Sequence, residues 1–448
     1  MHRTSRNSLK IAALLLCGLF AFGTATAQDQ EGQPKQKTKQ AQAVSKEVYD
    51  KIQKAQEMVD GKDYQGALRA LNSLYNPDKL TEYEQANVLN YIGFVYYNMD
   101  DIPGAIRTYV KLLALPGLEP QLAKQTTYTL AQLYTMEEQY DNALNTLEKW
   151  FVLETNPPPE AYMLKAQNLY QVQRYQQMIE PIETGMRVAR ERGKAVKEDW
   201  WVLLNFAYFQ QENYSKVRDI QKTLLATWPK KRYWMSLAGA FTELGEDQKI
   251  IYAYDALHVQ GQLDKESELV TMAQLYMQAE VPYKAGTLLE KEMESGRVSR
   301  SGKNYRLLAQ AWQLAMEDQK AIPALTEAAR LAEDGELNIR LGNAYLNTGK
   351  YDECAKAVRE GLRRGGIKAP DNAQISLGMC LYNLRQYNTA IAAFREAAKT
   401  QRSKRTADQW IRVIQADVER NRQIRLAEEA ARKKRQEIED RRAAAGRA

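Results

Sequence analysis

The stretch Leu341-Gly342-Asn343-Ala344-Tyr345, followed by Gly349-Lys350-Tyr351-Asp352-Glu353-Cys354-Ala355, decides the fold of this chain. The small residue Gly342 lies twelve positions before Cys354, and the same pairing of small or apolar residues occurs ten times. First members of successive pairs are 33–39 residues apart. The ten pairs are Ala55/Ala67, Gly93/Ala105, Ala131/Ala143, Ala166/Met178, Asn205/Val217, Ala238/Ile250, Ala273/Ala285, Ala309/Ala321, Gly342/Cys354 and Gly378/Ala390.

The spacing within one copy predicts two helices joined by a short turn. Small residues at both paired positions allow two helix backbones to approach closely without leaving voids. An aromatic residue one helical turn after the first small residue fills the space beside this contact. Turn chemistry follows, as in Leu244-Gly245-Glu246-Asp247 and Thr348-Gly349-Lys350, which favours the end of the first helix. We therefore expect an all-α chain.

The repeat resembles the tetratricopeptide repeat, a helix–turn–helix unit of similar length. Trp201 and Trp234 stand three residues before Leu204 and Leu237, as in the fuller form of that motif. The resemblance implies a right-handed superhelical solenoid of about ten degenerate helix pairs, with a C-terminal capping helix over the last pair. The middle copies are weaker, and we expect Pro282 to interrupt the turn of the seventh pair.

The two ends of the chain differ from the repeats. Residues 1–27 have a basic start, an apolar segment (11–22) and the small-residue site Ala25-Thr26-Ala27, which is typical of a cleaved signal peptide. A membrane anchor is the alternative, but the apolar segment is short for spanning a bilayer. We predict a flexible Gln/Lys-rich spacer at 28–45, the solenoid at 46–400, a capping helix at 401–420 and a charged, helical or frayed tail at 421–448. The predicted location is the periplasm.

Charge separates the tail from the repeats. Residues 401–448 contain 14 Lys/Arg and 8 Asp/Glu, a net charge of +6, whereas residues 28–400 carry −2. An acidic partner or anionic headgroups would suit this tail, and the alternative is simply a solvated helix end. Nucleic-acid binding is disfavoured because the tail lacks aromatic residues beyond its first turns and the chain has the features of an exported protein.

Two cysteines, Cys354 and Cys380, follow the predicted cleavage site. An oxidising compartment would permit a disulfide between them. Both positions are ordinary core positions in which Cys behaves as a small apolar residue. We favour two buried thiols and keep the disulfide as the alternative.

The residues needed for catalysis are scarce. His258 is the only histidine after residue 27, from which we expect neither a His-dependent triad nor a metal site with several histidines. Glu294-Ser295-Gly296 is similar to the Glu-Ser of soluble lytic transglycosylases, but the rest of that signature is absent, and an inter-repeat loop explains it better. We predict a non-enzymatic protein with no cofactor and no metal site.

Tetratricopeptide arrays hold extended peptides or partner helices on the wall formed by the first helix of each pair. Aromatic, Met and amide side chains suit such a wall because they accept varied side chains and peptide backbones. Two alternatives are that these residues pack between helices, or that the convex face or the tail binds the partner. The candidate groove residues are Asn90, Phe94, Tyr97, Tyr128, Gln132, Gln167, Tyr170, Phe206, Phe209, Gln274, Met277, Gln310 and Asn343.

The complete arrangement resembles the periplasmic tetratricopeptide proteins associated with TonB energy-transduction systems of Gram-negative bacteria. The likeness lies in the N-terminal segment, the spacer, the degenerate repeats and the Ala-Asp-Gln-Trp-Ile helix at 407–411. It implies a scaffold that binds envelope proteins, including members of a TonB complex. An assembly factor for outer-membrane proteins, pili or secretion is an alternative, and an activator of a peptidoglycan enzyme is another.

Overall fold

Helices account for almost the whole chain between residues 44 and 445, the range that this computed structural model describes. The described residues form 21 α-helices and one short 3-10 helix, without a β-strand. The prediction of an all-α chain is confirmed. The predicted signal peptide and residues 28–43 of the predicted spacer lie outside the described residues.

The described residues divide into two compact units, the first ending at residue 137 and the second beginning at residue 138. The described part of the first unit contains α1 (Lys46–Asp60), α2 (Tyr64–Leu74), α3 (Glu82–Asn98), α4 (Ile102–Leu113) and α5 (Pro120–Met136).

The second unit continues the same alternation of helices along the chain. It contains α6 (Tyr140–Leu153), α7 (Pro159–Gln171), α8 (Ile179–Glu191), α9 (Glu198–Phe209), α10 (Tyr214–Thr227), α11 (Lys231–Glu243), α12 (Asp247–Val259), α13 (Glu266–Gln278), α14 (Pro282–Glu294), α15 (Gly302–Leu314), α16 (Asp318–Arg330), α17 (Glu336–Asn347), α18 (Tyr351–Arg364), α19 (Pro370–Asn383), α20 (Tyr387–Ala398) and α21 (Gln401–Ala445).

The paired positions of the sequence repeat lie in the apolar interior of these helices. All of them are buried except Asn205 and Ile250, which are half-buried and belong to the weaker middle copies. At Gly342, a Cβ atom would overlap the Val358 Cγ2 methyl group on α18. At Gly378, it would come within 2.7 Å of the Phe394 ring on α20. A side chain larger than hydrogen at either position would therefore displace a side chain of the opposing helix.

One residue with a left-handed backbone conformation lies between the first and second helix of every copy. It always stands seven positions after the first paired residue, which fixes the register of all ten copies, weak ones included. The ten residues are Lys62, Asp100, Glu138, Gln173, Glu212, Gly245, Glu280, Met316, Gly349 and Arg385. Most are not glycine, although β-carbon crowding makes this conformation unfavourable for them. In the first copy Lys62 adopts it, whereas the preceding residue Gly61 has φ −77°.

Two middle copies differ from the sequence expectation in detail. Pro282 is the first residue of α14, where its missing N–H is not needed, so the prediction that it interrupts the turn is wrong. The irregularity lies in the fourth copy instead. There a 3-10 helix (Tyr175–Met178) precedes α8.

Cys354 on α18 and Cys380 on α19 form a disulfide with their Cα atoms 6.0 Å apart. Both residues are completely buried. The favoured expectation of two separate thiols therefore differs from the structure. The twelve-residue pairing predicts that Cys354 is buried, but it does not predict that Cys380 on the next helix contacts it.

Helix α21 is continuous from residue 401 to 445, without a break at residue 420. Its first turns pack on α19 and α20. Ala407 and Ile414 are completely buried, and the Trp410 ring stacks on Phe394 with centroids 5.7 Å apart. Arg402 and Ser403 bind the buried carboxylate of Asp371 at the start of α19. Every side chain from 421 to 440 is exposed, so the second half of α21 has no packing partner within the described residues.

Candidate functional site

The candidate groove residues all lie on the first helix of a copy. Asn90, Phe94 and Tyr97 are on α3, with Tyr128 and Gln132 on α5. Gln167 and Tyr170 are on α7, Phe206 and Phe209 on α9, Gln274 and Met277 on α13, Gln310 on α15 and Asn343 on α17. None of the thirteen is buried, and each is exposed or half-buried. This distribution leaves polar and aromatic atoms available on the first helices of both units.

Several candidates also contribute to helix packing. Phe94 and Tyr97 contact the apolar clusters of the first unit, and Met277 contacts a cluster of the second. The most accessible aromatic candidates are Phe209, which is 50% exposed, and Tyr170, which is 39% exposed. Aromatic area left in water at these two positions is the strongest sign of a contact surface among the predicted residues.

The structure brings Tyr170 and Phe206 together in a cleft of about 650 Å³. The Tyr170 and Phe206 rings meet edge to face with centroids 5.1 Å apart. Tyr175 from the 3-10 helix contacts Phe206 in the same way at 5.2 Å. Edge-to-face pairs hold rings in fixed relative positions. The three rings therefore form a fixed apolar surface, which Val202 and Leu203 of α9 extend.

Charged side chains from α9 and α11 line the same cleft. Glu198 accepts hydrogen bonds from Lys230 Nζ and from Arg232 Nη2, each at 2.6 Å, and from the Tyr233 hydroxyl. Hydrogen bonds from Lys230 and Tyr233 lower the pKa of the Glu198 carboxyl to about 2. Glu198 therefore stays ionised at any physiological pH and holds Arg232 at the edge of the cleft.

Asp199 is the other acid of the cleft. Its side chain is exposed and accepts a hydrogen bond only from the adjacent Trp200 backbone N–H, at 3.1 Å. It has no cationic partner among residues 44–440. One negative charge thus remains available beside the aromatic surface.

Sequence reasoning missed Val202, Glu198, Asp199 and Arg232. Val202 stands three residues before the paired residue Asn205, as the candidates Asn90 and Tyr128 stand three before Gly93 and Ala131. The same spacing applied to α9 therefore finds Val202. Asp199 lies a further helical turn before Val202 and therefore shares its face. The sequence alone could therefore have indicated Val202 and Asp199. Arg232 comes from a different helix, and only the packing of α11 beside α9 places it here.

The second unit also contains a small group of charged and polar side chains outside the cleft. Glu292 on α14 is completely buried and pairs with Arg297 at 2.5 Å, while His258 Nε2 lies 4.0 Å from the same carboxyl group. Ser295, the serine of the Glu294-Ser295-Gly296 stretch, donates its hydroxyl to the Glu292 carbonyl oxygen directly after α14. Its hydroxyl thus closes a helix end, as expected for an inter-repeat loop. No group of three or more His, Cys, Asp or Glu that could hold a metal ion occurs among the described residues.

Two segments of the second unit match a known family. Residues 335–364 and 372–404 match the tetratricopeptide repeat. The first covers α17 and α18, and the second covers α19, α20 and the start of α21. Over these residues the chain is similar to tetratricopeptide repeats. No curated protein sequence matches the chain.

Several solved structures contain similar helix arrangements. A tetratricopeptide repeat protein from Parabacteroides merdae is 15% identical with a TM-score of 0.34, over 61% of this chain and all of that one. YrrB, described as a tetratricopeptide protein with an unusual peptide-binding site, is 17% identical with a TM-score of 0.34, over 42% of this chain and 95% of its own. The anaphase-promoting-complex hetero-tetramer Cut9–Hcn1 gives 15% identity and a TM-score of 0.29, over 82% of this chain and 83% of that one.

None of the helices in the described range combines the length and the apolar composition needed to cross a membrane.

Proposed function

We propose that this protein is a non-catalytic scaffold that binds extended peptides or partner helices of other proteins through its first helices. Tetratricopeptide repeats in the second unit support this proposal, since such arrays present binding surfaces rather than catalytic groups. The observation that carries it is the cleft lined by Tyr170 and Phe206, with Tyr175 packed on Phe206; all three rings remain partly exposed. Apolar side chains that stay partly exposed in a cleft can pack against an apolar side chain of a partner.

We place the protein in the periplasm, as an accessory to a TonB-type energy-transduction system. This part of the proposal rests on the signal-peptide pattern of residues 1–27 and on the resemblance around residues 407–411. Envelope proteins, including members of a TonB complex, are the partners it implies. Fractionation of cells should recover the protein in the periplasm with an N-terminus at Gln28. Recovery of the protein in the cytoplasm with Met1 intact would contradict the periplasmic location.

Site-specific photo-crosslinking in intact cells tests the scaffold. A photoreactive amino acid at Gln167, one turn before Tyr170 on the exposed face of α7, should capture discrete protein partners. The matched control is Lys222, which is exposed on the second helix α10. Equal capture from both positions would mean that the first helices are not the binding surface.

The identity of the captured proteins separates the partner hypotheses. TonB-complex members, together with poor growth of a deletion strain on scarce iron, support the uptake role. Recovery of outer-membrane, pilus or secretion assembly machinery alone supports the assembly-factor alternative instead. Capture of a peptidoglycan hydrolase that the protein stimulates supports the activator alternative.

A further inference from the structure

The cleft between α7, α9 and α11 has two chemically different parts. Its floor consists of the Tyr170 and Phe206 rings with Val202, which is 37% exposed. The size, about 650 Å³, lies within the range that accommodates a small ligand or a few peptide side chains. An apolar side chain of a partner would remove this floor from water, which is favourable.

The charges at the edge of the cleft are unequally compensated. Glu198 pairs with both Lys230 and Arg232, each at 2.6 Å, so the three groups satisfy one another. Asp199, the next residue after Glu198, has no cation within the described residues. Asp199 is therefore the one charged group of the lining that has no directly bound partner of opposite charge among the described residues. A cation near the rings also gains from their negative faces.

The surroundings favour a peptide over an isolated small molecule. Gln167 stands three residues before Tyr170 on α7, so its exposed amide lies on the same face as the ring. An amide side chain donates and accepts hydrogen bonds and can therefore bind a peptide backbone in either direction. Polar groups for a main chain thus adjoin an apolar floor for one of its side chains.

We infer that this cleft binds an extended peptide that places an apolar or aromatic side chain on Tyr170, Val202 and Phe206 and a neighbouring lysine or arginine beside Asp199. The inference rests on the proposed scaffold function and specifies its ligand. Arg232 limits the choice further, because a partner acid would have to compete with Glu198 for the guanidinium.

Fluorescence anisotropy with the complete mature chain tests the inference. The probes are three capped Gly/Ser peptides of about twelve residues, labelled at the same end, with Trp-Lys-Trp, Trp-Glu-Trp or Ser-Lys-Ser at the centre. We expect Trp-Lys-Trp to bind about fivefold more tightly than Trp-Glu-Trp, the effect of one exposed charge pair. Ser-Lys-Ser should bind weakly because it lacks the apolar anchor.

Variants assign the two parts of the site. Asp199→Asn keeps the hydrogen bond from the Trp200 amide and should make the two tryptophan peptides bind equally. Glu290→Gln, which removes an exposed acid on α14 outside the cleft, should leave the preference unchanged. Phe206→Ala should weaken both tryptophan peptides. Val202→Ser should likewise weaken both tryptophan peptides. It is included because the exposed Val202 side chain can be replaced without unfolding the protein.

Stronger binding of Trp-Glu-Trp, an unchanged preference in Asp199→Asn, or no saturable binding by any probe would overturn the inference. Failure of the scaffold function itself has a different signature, which is the loss of selective crosslinking from Gln167. If Gln167 still captures partners while the lysine preference is absent, the scaffold stands and the basic-peptide specificity does not.

Discussion

At the scale of single residues, the turns within the helix pairs are conformationally costly. Eight of the ten left-handed positions are occupied by residues other than glycine. A left-handed backbone brings Cβ close to the following carbonyl oxygen, at a cost of about 1 kcal/mol or more. The packing of the two flanking helices fixes the path of the turn and so maintains the unfavourable conformation.

Met316 offers a direct test of this cost. It has φ +59° between α15 and α16, and 89% of its side chain is exposed, so replacement removes little packing. We expect Met316→Gly to raise the free energy of unfolding by about 0.5–1 kcal/mol, since the strain relieved exceeds the added chain entropy. Urea titration followed by circular dichroism measures this change in the free energy of unfolding.

The control for this prediction is the same position one copy later. Gly349 has φ +73°, and Gly349→Ala should lower the free energy of unfolding by about 1 kcal/mol. If both substitutions change stability in the same direction, backbone conformation does not determine their effects.

At the scale of elements, helix α21 closes the C-terminal repeat. A terminal repeat would otherwise leave the apolar face of α19 and α20 in water. The Trp410 ring stacks on Phe394 and meets the Tyr382 ring at 5.5 Å. Arg402 adds a charged contact, and its hydrogen bonds hold the pKa of the Asp371 carboxyl well below its usual range. Apolar and ionic contacts thus fix only the first turns of α21.

Removing the Trp410 ring should therefore loosen the last repeat. We expect Trp410→Ala to lower the free energy of unfolding by about 2 kcal/mol, less than for a completely buried tryptophan because the ring is half-buried. Hydrogen exchange should show the loss of protection concentrated in α19–α21. Arg412→Ala, on the exposed side of the same helix, should be nearly neutral. Equal effects of the two substitutions would contradict the capping role.

At the scale of the whole molecule, a few carboxylates make stability depend on pH. Burial opposes ionisation of Glu84, but hydrogen bonds from Ser45 and Thr81 outweigh it and lower the pKa to about 2 from 4.5. In Glu360, hydrogen bonds from Arg363 and Arg364 likewise lower the pKa to about 2. Glu198 behaves similarly in the cleft. Because each group binds protons less readily when folded, each stabilises the folded state above its unfolded pKa.

We expect the thermal midpoint to fall as pH decreases from about 4.5 to about 2, where these stabilising contributions are lost. Glu84→Gln should be less stable than the wild type at neutral pH and should approach it near pH 2. Differential scanning calorimetry across this range measures the effect. Glu57 is an exposed acid on α1, and the thermal midpoint of Glu57→Gln should change with pH as that of the wild type does. A Glu84→Gln deficit that persists unchanged at pH 2 would contradict this account.

The sequence by itself determined the helix pairs and their register. Close packing requires small residues at fixed positions on both helices, so the pairs from Ala55/Ala67 to Gly378/Ala390 can be read directly from the chain. The same register places all thirteen candidate groove residues on first helices and indicates Val202 as another. Such information is local, because it depends on spacing within one helical turn or one short loop.

Only the tertiary structure decided which helices bring their side chains together. Nothing in the spacing of α9 and α11 predicts that Arg232 and Tyr233 bind Glu198, or that Asp199 is left without a cation. The pairing of Cys354 with Cys380 and the stacking of Trp410 on Phe394 have the same origin. Each depends on the rotation of one helix against the next, which is set by the packing of whole side chains and not by the period of the repeat.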